Sequence, residues 1–386
     1  MNSPTFTPDA LLDAAARKAG ADDFGSDSYH PGLEALLFAV DHEAELNEKG
    51  RAEMWGRIVA ALANRATVVA WEKANPELAA ARIAPPLVIL GLPRTGSSIL
   101  HETLAAAPGM RTPLIWEIRD FSLVHKVSDA RSDDRIQAIE ADIARKNAAA
   151  PGYAAIHYED AHIPMECLAL TILDMVSTQF PTIAWTPTYR KFLLSHDARE
   201  TYRWHKRALR FLQAGRPTAQ WVLKAPMHSV FIAALFATYP DARVLQTHRD
   251  PLKVIGSQCS LNATLRRAWS DRTDVAGQAA ADAAYTAAAI QRAVDYRRDH
   301  PEIDARIHDV PFKDFMADQE GTLAGIFENC GLVLTDAARE AMLGYLRNRP
   351  REKFGRHDYS LEAFGLTPQG LAPLFADYVE RNRDFL

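Results

Sequence analysis

The sequence predicts an α/β protein in which helices flank a central parallel sheet, and three observations lead to that prediction. Short apolar segments recur along the chain, and each is followed by a turn and a helical pattern. The first of them, Leu87 to Leu90, runs into a glycine-bracketed loop that opens a helix. The chain has 386 residues, of which 48% are hydrophobic, and this suits one large α/β domain with insertions or two domains.

Composition and charge narrow the classes of function. A net charge of −5 gives no electrostatic footprint for nucleic acid. No segment approaches 18 uninterrupted apolar residues and no signal-peptide layout is present, so we expect a cytoplasmic protein with no membrane partner. The three cysteines, Cys167, Cys259 and Cys330, are widely spaced, which favours small buried side chains over disulfides or a zinc site.

Residues 1–84 read as a helical N-terminal region. Thr7 precedes Pro8 and an apolar run, a typical helix start, and periodic segments follow from Gly32 and from Gly50. This region would cover the sheet, line a cavity or mediate dimerisation, and the sequence leaves these alternatives open. The α/β domain is predicted over 85–386.

The loop after the first strand is predicted to bind an anion. Gly91 and Gly96 bracket it, and Ser97 and Ser98 begin a helix whose positive dipole end faces the loop. The spacing imitates a Walker A loop of a P-loop nucleotide-binding protein, but Ser97 stands where the lysine should be, and the cation is at Arg94. A nucleoside triphosphatase needs that lysine, so a different oxyanion is favoured.

A long segment separates the first predicted strand and its helix from the second predicted strand. Residues 111–117, ending at Glu117, are predicted to be extended. Residues from about 120 to 217 lack strand signals and are predicted to form a helical insertion, with helices near 129–150, 164–173 and 194–213. Such an insertion would form a lid or an acceptor pocket above the sheet.

The α/β pattern resumes at Gln220. Predicted strands cover 220–224, 242–247 and 306–312. Ligands of parallel sheets lie at the carboxyl ends of the strands, so the residues just beyond those ends are the candidate site. Those residues are Arg94, Lys224, His228, Arg249 and Ser257.

These motifs resemble the sulfotransferase family that uses 3′-phosphoadenosine 5′-phosphosulfate (PAPS), especially its bacterial branch, over about residues 85–366. Arg249 and Ser257, eight positions apart across an Asp-Pro turn, are similar to the pair that binds the donor's 3′-phosphate. The segment from Pro93 resembles the 5′-phosphosulfate loop. The donor-binding residues implied there are Arg94, Thr95, Gly96, Ser97 and Ser98. Lys353, Gly355 and Arg356 occupy the place of the family's C-terminal basic loop, although the sequence there differs from the usual one.

The resemblance implies a reaction and its participants. A sulfuryl group would pass in line from PAPS to the hydroxyl of a small, hydrophobic acceptor, with no metal. Arg94 and Lys224 would stabilise charge on the leaving phosphate. The general base would be Glu117 or His228, and the sequence does not choose between them.

Two other functions remain open at this point. A P-loop phosphotransferase, such as a nucleotide kinase, would need a metal-holding aspartate, for which Asp250 in a turn is a poor substitute. A catalytically inactive nucleotide-binding protein would keep the loops without the chemistry. Oligomeric state is also open, and a homodimer is one of the alternatives.

Overall fold

The protein contains a five-stranded, wholly parallel sheet in the order β2-β3-β1-β4-β5. A computed structural model describes residues 6–149, 159–216, 218–348 and 360–386. The strands are β1 (Leu87–Gly91), β2 (Met110–Arg111), β3 (Gln220–Lys224), β4 (Arg243–His248) and β5 (Ile307–Pro311). The α/β prediction is confirmed.

Strand β1 lies in the middle of the sheet because every one of its residues is apolar or glycine. All five are buried, and the strand pairs with β3 on one side and with β4 on the other. Leu87 is in register with Val222 of β3 and with Arg243 of β4. The carboxyl ends of β1, β3 and β4 therefore lie side by side, which is where ligands of parallel sheets bind.

The residues form two compact units, each assembled from three stretches of chain. The α/β unit comprises 84–112, 218–260 and 275–386 and holds the sheet. Its apolar core includes Leu100 and Leu104 of the helix after β1, together with Phe315 and Phe327. Its helices are Ser97–Ala105, Ile232–Thr238, the first part of Pro251–Trp269, Val275–Asp299, Pro301–Asp304, Phe312–Ala317, Gln319–Asn329, Asp336–Asn348, Pro368–Leu371 and Ala376–Arg381, with 3₁₀ turns at Pro226–Ser229, Glu362–Phe364, Ala372–Phe375 and Arg383–Phe385.

The helical unit comprises 1–83, 113–217 and 261–274. Thr7 caps its first helix by accepting a hydrogen bond from the Ala10 N–H at 3.3 Å, as the sequence predicted. Its helices are Pro8–Ala19, His30–His42, Glu48–Ala74, Pro76–Ala79, Ile115–Arg119, Phe121–Val124, Asp134–Ala149, Leu168–Thr171, Gln179–Ile183, Pro187–Ser195, Arg199–Gln213 and the last part of Pro251–Trp269, with 3₁₀ turns at Asp27–Tyr29 and Ile172–Asp174.

Three local predictions were wrong. Residues 111–117 are not extended throughout, because Ile115–Arg119 is a short helix. The single helix predicted near 194–213 is interrupted: one helix ends at Ser195, and the next begins at Arg199. The segment near 164–173 is helical only from Leu168.

Candidate functional site

The loop between β1 and the helix Ser97–Ala105 has a tightly turned backbone. Gly91, Arg94 and Gly96 all have positive φ angles, of 127°, 62° and 80°. Glycine accepts such angles readily, whereas Arg94 pays a conformational cost of about 1–3 kcal/mol. Helix formation begins at Ser97, so the first N–H groups of the helix point into the loop.

Strand β4 braces this loop from the side. The hydroxyl of Thr95 donates to the Leu92 carbonyl at 2.8 Å and lies 2.6 Å from the hydroxyl of Thr247. Thr95 is buried, so both contacts are shielded from water. The Gly91 N–H donates to the Ser229 hydroxyl at 3.2 Å. The loop is therefore held in shape by side chains from the carboxyl ends of its neighbouring strands.

The structure brings the two predicted donor motifs together. Arg94 Nε donates to the Ser257 hydroxyl at 3.1 Å, and Arg249 Nη1 donates to the Arg94 carbonyl at 3.0 Å. Arg249 directly follows β4, and Ser257 lies on the next helix. Asp250 caps that helix by accepting the Leu252 N–H at 2.9 Å, a structural use of the carboxylate.

Phe312 connects the same two motifs and was not singled out from the sequence. Arg249 lies over its ring, with the guanidinium carbon 4.8 Å from the ring centroid. A Cβ atom added to Gly96 would meet the same ring at 2.6 Å. Phe312 comes directly after β5, so its place beyond a strand end was the signal that could have identified it.

Lys224, at the end of β3, is a third basic residue at this edge of the sheet, together with Arg94 and Arg249. It is buried, and its Nζ donates to the Ser98 hydroxyl at 3.0 Å. Burial, reinforced by the positive charge of Lys224, lowers the pKa of the neighbouring His101 to about 3. His101 is therefore neutral at physiological pH, and Lys224 supplies the positive charge there.

The two candidate bases belong to different units. His228 lies in the 3₁₀ turn after β3 in the α/β unit and is fully buried. Glu117 lies in the helical unit, also buried, at the third position of the helix Ile115–Arg119. Its carboxylate accepts the Leu114 N–H at 3.0 Å and lies 3.4 Å from Arg216.

Three predicted residues, Lys353, Gly355 and Arg356, lie outside the described residues. Within the part of the chain that is described, no group of three or more His, Cys, Asp or Glu side chains is arranged to hold a metal ion. None of the described helices is long and apolar enough to cross a membrane. The cysteines Cys167, Cys259 and Cys330 are all buried, as predicted.

His248, the residue before Arg249, belongs to a buried polar network that was not predicted from the sequence. His248, the last residue of β4, contacts Asp309 of β5 and Tyr378 of the helix Ala376–Arg381. Arg297 binds Asp309 through both of its terminal nitrogens, at 2.6 and 2.9 Å. In the sequence, a histidine and an aspartate on apolar strands could have indicated a buried polar contact. The tyrosine that completes the network is 130 positions from the histidine, so no local pattern connects the two.

Comparison with solved structures agrees with the fold. The chain is 31% identical to the sulfotransferase STF1 of Mycobacterium tuberculosis H37Rv, whose crystal structure superimposes with a TM-score of 0.84 over 96% of this chain and 98% of that one. Sulfotransferase STF9 of Mycobacterium avium is 28% identical, with a TM-score of 0.87 over 99% and 98% of the two chains.

Curated relatives and a family match point the same way. An omega-hydroxy-beta-dihydromenaquinone-9 sulfotransferase, Stf3, from Mycobacterium bovis and from Mycobacterium tuberculosis is 24% identical over 72% of this chain and 71% of the relative. Residues 85–336 match the sulfotransferase family, a span that contains strands β1 to β5 and both predicted donor motifs. The chain belongs to the sulfotransferase family.

Proposed function

We propose that this sulfotransferase takes its sulfuryl group from PAPS and transfers it to the hydroxyl of a small hydrophobic acceptor, without a metal ion. The observation that carries the proposal is the hydrogen-bonded set of Arg94, Ser257 and Arg249 at the carboxyl ends of β1 and β4. Two guanidinium groups and a helix N-terminus beside a hydroxyl suit a donor that bears phosphate groups at two positions.

The chemistry assigns a role to each group. As the acceptor oxygen forms its bond to sulfur, the bond from sulfur to the 5′-phosphate oxygen breaks, and negative charge collects on that oxygen. Arg94, Lys224 and the N–H groups at the start of the helix Ser97–Ala105 are the donors that would stabilise it. Arg249 and Ser257 would bind the 3′-phosphate and fix the donor away from the reacting sulfur.

The acceptor is proposed on two grounds. The relative Stf3 is named for a hydroxylated acceptor, omega-hydroxy-beta-dihydromenaquinone-9. In this chain, the residues from 120 to 217 that the structure describes are helical wherever they are regular, and they carry an apolar core. We propose on these grounds that the acceptor is small and hydrophobic and carries the hydroxyl that receives the sulfuryl group.

The donor is tested by calorimetric titration of the metal-free protein with 3′-phosphoadenosine 5′-phosphate and, separately, with ADP. We expect micromolar or tighter binding that prefers the 3′-phosphate and is lost in Arg249→Ala. Arg306→Ala is a matched control, because Arg306 also donates to a backbone carbonyl, at 3.1 Å, and lies over a phenylalanine ring. Preference for ADP, or for ATP with magnesium, would contradict the proposal and favour a phosphotransferase.

The base is tested by comparing Glu117→Gln with His228→Asn. Each substitution removes one candidate proton acceptor and keeps a similar shape. Loss of the base lowers kcat by about 10²–10⁴-fold and leaves donor binding unchanged. The variant that shows both effects identifies the base, and near-normal turnover in both variants would exclude general-base catalysis by either residue.

A further inference from the structure

The helix Ala376–Arg381 carries a tyrosine that contacts the end of β4, next to the proposed donor site. Tyr378 is fully buried, and its hydroxyl lies 3.0 Å from Nδ1 of His248. Arg249 is the next residue along the chain after His248. Tyr378 is thus bonded to the last residue of β4, which immediately precedes the arginine of the proposed donor site.

The direction of each hydrogen bond follows from the chemistry of its groups. Asp309 Oδ1 lies 2.7 Å from His248 Nε2. Burial raises the pKa of Asp309, but hydrogen bonds from Arg297 and His248 outweigh it and bring the pKa below its usual range. The group is a carboxylate that only accepts, so His248 Nε2 carries the proton.

The other ring nitrogen then has to accept. Burial lowers the pKa of His248, so the ring is neutral and Nδ1 accepts the hydroxyl proton of Tyr378. Every donor in the series from Tyr378 through His248 to Asp309 therefore has an acceptor, which is the condition for a buried polar network to be rigid.

The far end of the series is firmly anchored. Arg297, on the long helix Val275–Asp299, binds Asp309 through two nitrogens and also donates to Gln246 of β4 at 2.9 Å. Arg297 also contacts Asp304, to which Arg381 donates at 2.6 Å. His248, next to Arg249 in the chain, is thereby tied to three elements that carry no group proposed to touch the donor.

We propose that Tyr378 is a positioning residue for donor recognition. Its hydroxyl holds His248 in place, and His248 directly precedes Arg249, so that the guanidinium, bonded to the Arg94 carbonyl and lying over Phe312, is already in place for a 3′-phosphate. This inference rests on the proposed function, since it requires Arg249 to bind the donor. It makes the helix Ala376–Arg381 a support for the donor site.

The test compares Tyr378→Phe with the unmodified protein in calorimetric titrations with 3′-phosphoadenosine 5′-phosphate and with ADP. Removing the hydroxyl weakens binding of the 3′-phosphorylated nucleotide by about tenfold, the value of one well-placed hydrogen bond, and leaves ADP binding unchanged. In turnover, KM for PAPS rises while kcat stays nearly constant. A purely structural role would weaken both nucleotides equally and overturn the proposal.

Two further variants separate the possible failures. Tyr189→Phe is a matched control in the helical unit, since the buried Tyr189 hydroxyl is hydrogen-bonded as well, accepting the Ser177 N–H at 3.0 Å and donating to the Met175 carbonyl at 2.7 Å. Adding Arg249→Ala to Tyr378→Phe weakens binding no further than Arg249→Ala alone. If Arg249→Ala has no effect, the proposed function fails; if only Tyr378→Phe has none, this inference fails by itself.

A second pair of variants serves if Tyr378→Phe does not fold. His248→Asn keeps an acceptor at the place of Nδ1, whereas His248→Gln keeps a polar group only at the place of Nε2. We expect His248→Asn to retain the preference for the 3′-phosphate and His248→Gln to lose about tenfold of it. Equal behaviour of the two variants would overturn the role of the Tyr378 contact.

Discussion

Arg94 Nε donates a hydrogen bond to the Ser257 hydroxyl at 3.1 Å, and this contact joins the loop after β1 to the helix after β4. The two residues are 163 positions apart in the chain. Two groups proposed to bind opposite ends of the donor thus orient one another. Such organisation reduces the conformational entropy that flexible side chains lose on binding.

The first prediction concerns Arg94. A lysine keeps the charge but loses the planar fork that reaches the Ser257 hydroxyl, so Arg94→Lys lowers kcat/KM by about 10²-fold or more. Steady-state sulfuryl transfer measures the effect, with Arg306→Lys as the control, since Arg306 lies outside the proposed site. Activity of Arg94→Lys close to that of the unmodified protein would show that Arg94 acts only as a diffuse charge.

The second prediction concerns Gly96. An alanine there would have an unfavourable φ angle of 80° and a Cβ atom 2.6 Å from the Phe312 ring. We expect Gly96→Ala to lower the free energy of unfolding by about 3 kcal/mol and to abolish nucleotide binding. Gly20→Ala has a similar φ of 67° but nothing within 4 Å, so it should cost only about 1 kcal/mol.

A second substitution checks the cause of that effect. If the ring contact is responsible, Phe312→Leu recovers part of the stability lost in Gly96→Ala, and denaturant unfolding of the four combinations measures the coupling. Strictly additive effects of the two substitutions would attribute the loss to the backbone angle alone.

The third prediction concerns the pH dependence of stability. His101 has a pKa of about 3 in the folded state, against 6.5 for the ordinary side chain, because it is buried and lies near Lys224. The unfolded chain therefore takes up a proton that the folded protein refuses, and stability is lost as pH falls from 6.5 towards 3. The slope is about 1.4 kcal/mol per pH unit for this one group.

His101→Gln removes that titration. The variant is less stable at pH 7.5 because its contact with the Val222 carbonyl changes, but its deficit shrinks as the pH is lowered. Thr112→Val is the control, since it removes a hydroxyl 2.8 Å from His101 and keeps the imidazole. Denaturant unfolding between pH 7.5 and 4 measures both variants, and a deficit in His101→Gln that is independent of pH contradicts the prediction.

The fourth prediction concerns an ion pair in the helical unit. Arg65 and Asp174 are both fully buried, 3.0 Å apart, and Arg65 also donates to the carbonyls of Phe24 and Leu173. Arg65→Met leaves that carboxylate and those carbonyls without the donor, so we expect a loss of about 3–5 kcal/mol in the free energy of unfolding.

The control for that prediction is an ion pair in water. Arg203 contacts Glu200 on an exposed helix face, and Arg203→Met should cost less than about 1 kcal/mol. Replacing Arg65 and Asp174 together by Met and Asn should cost less than the sum of the two single changes. Equal losses in the free energy of unfolding for the Arg65 and Arg203 variants would show that burial does not make the Arg65–Asp174 pair more important than an exposed ion pair.

The sequence was sufficient to predict four strands, because β1, β3, β4 and β5 are short apolar runs bounded by turn-forming residues. Placing Arg94, Lys224 and Arg249 at one edge followed from the geometry of parallel strands. The short helix that carries Glu117 was missed, since its start is capped from within: Glu117 reaches back to the Leu114 N–H. The contact of Tyr378 with His248 spans 130 residues and leaves no periodic pattern to find.

The interleaving of the two units has a consequence for how the chain folds as it is synthesised. The helical unit is completed by residues 261–274, which leave the ribosome only after β1, β3 and β4 have done so. Residues 1–83 and 113–217 are therefore synthesised before the third segment of their unit exists, when three strands of the sheet are already available. No cut at a single peptide bond separates the two units, so we expect fragments of this chain to regain structure only when they are combined.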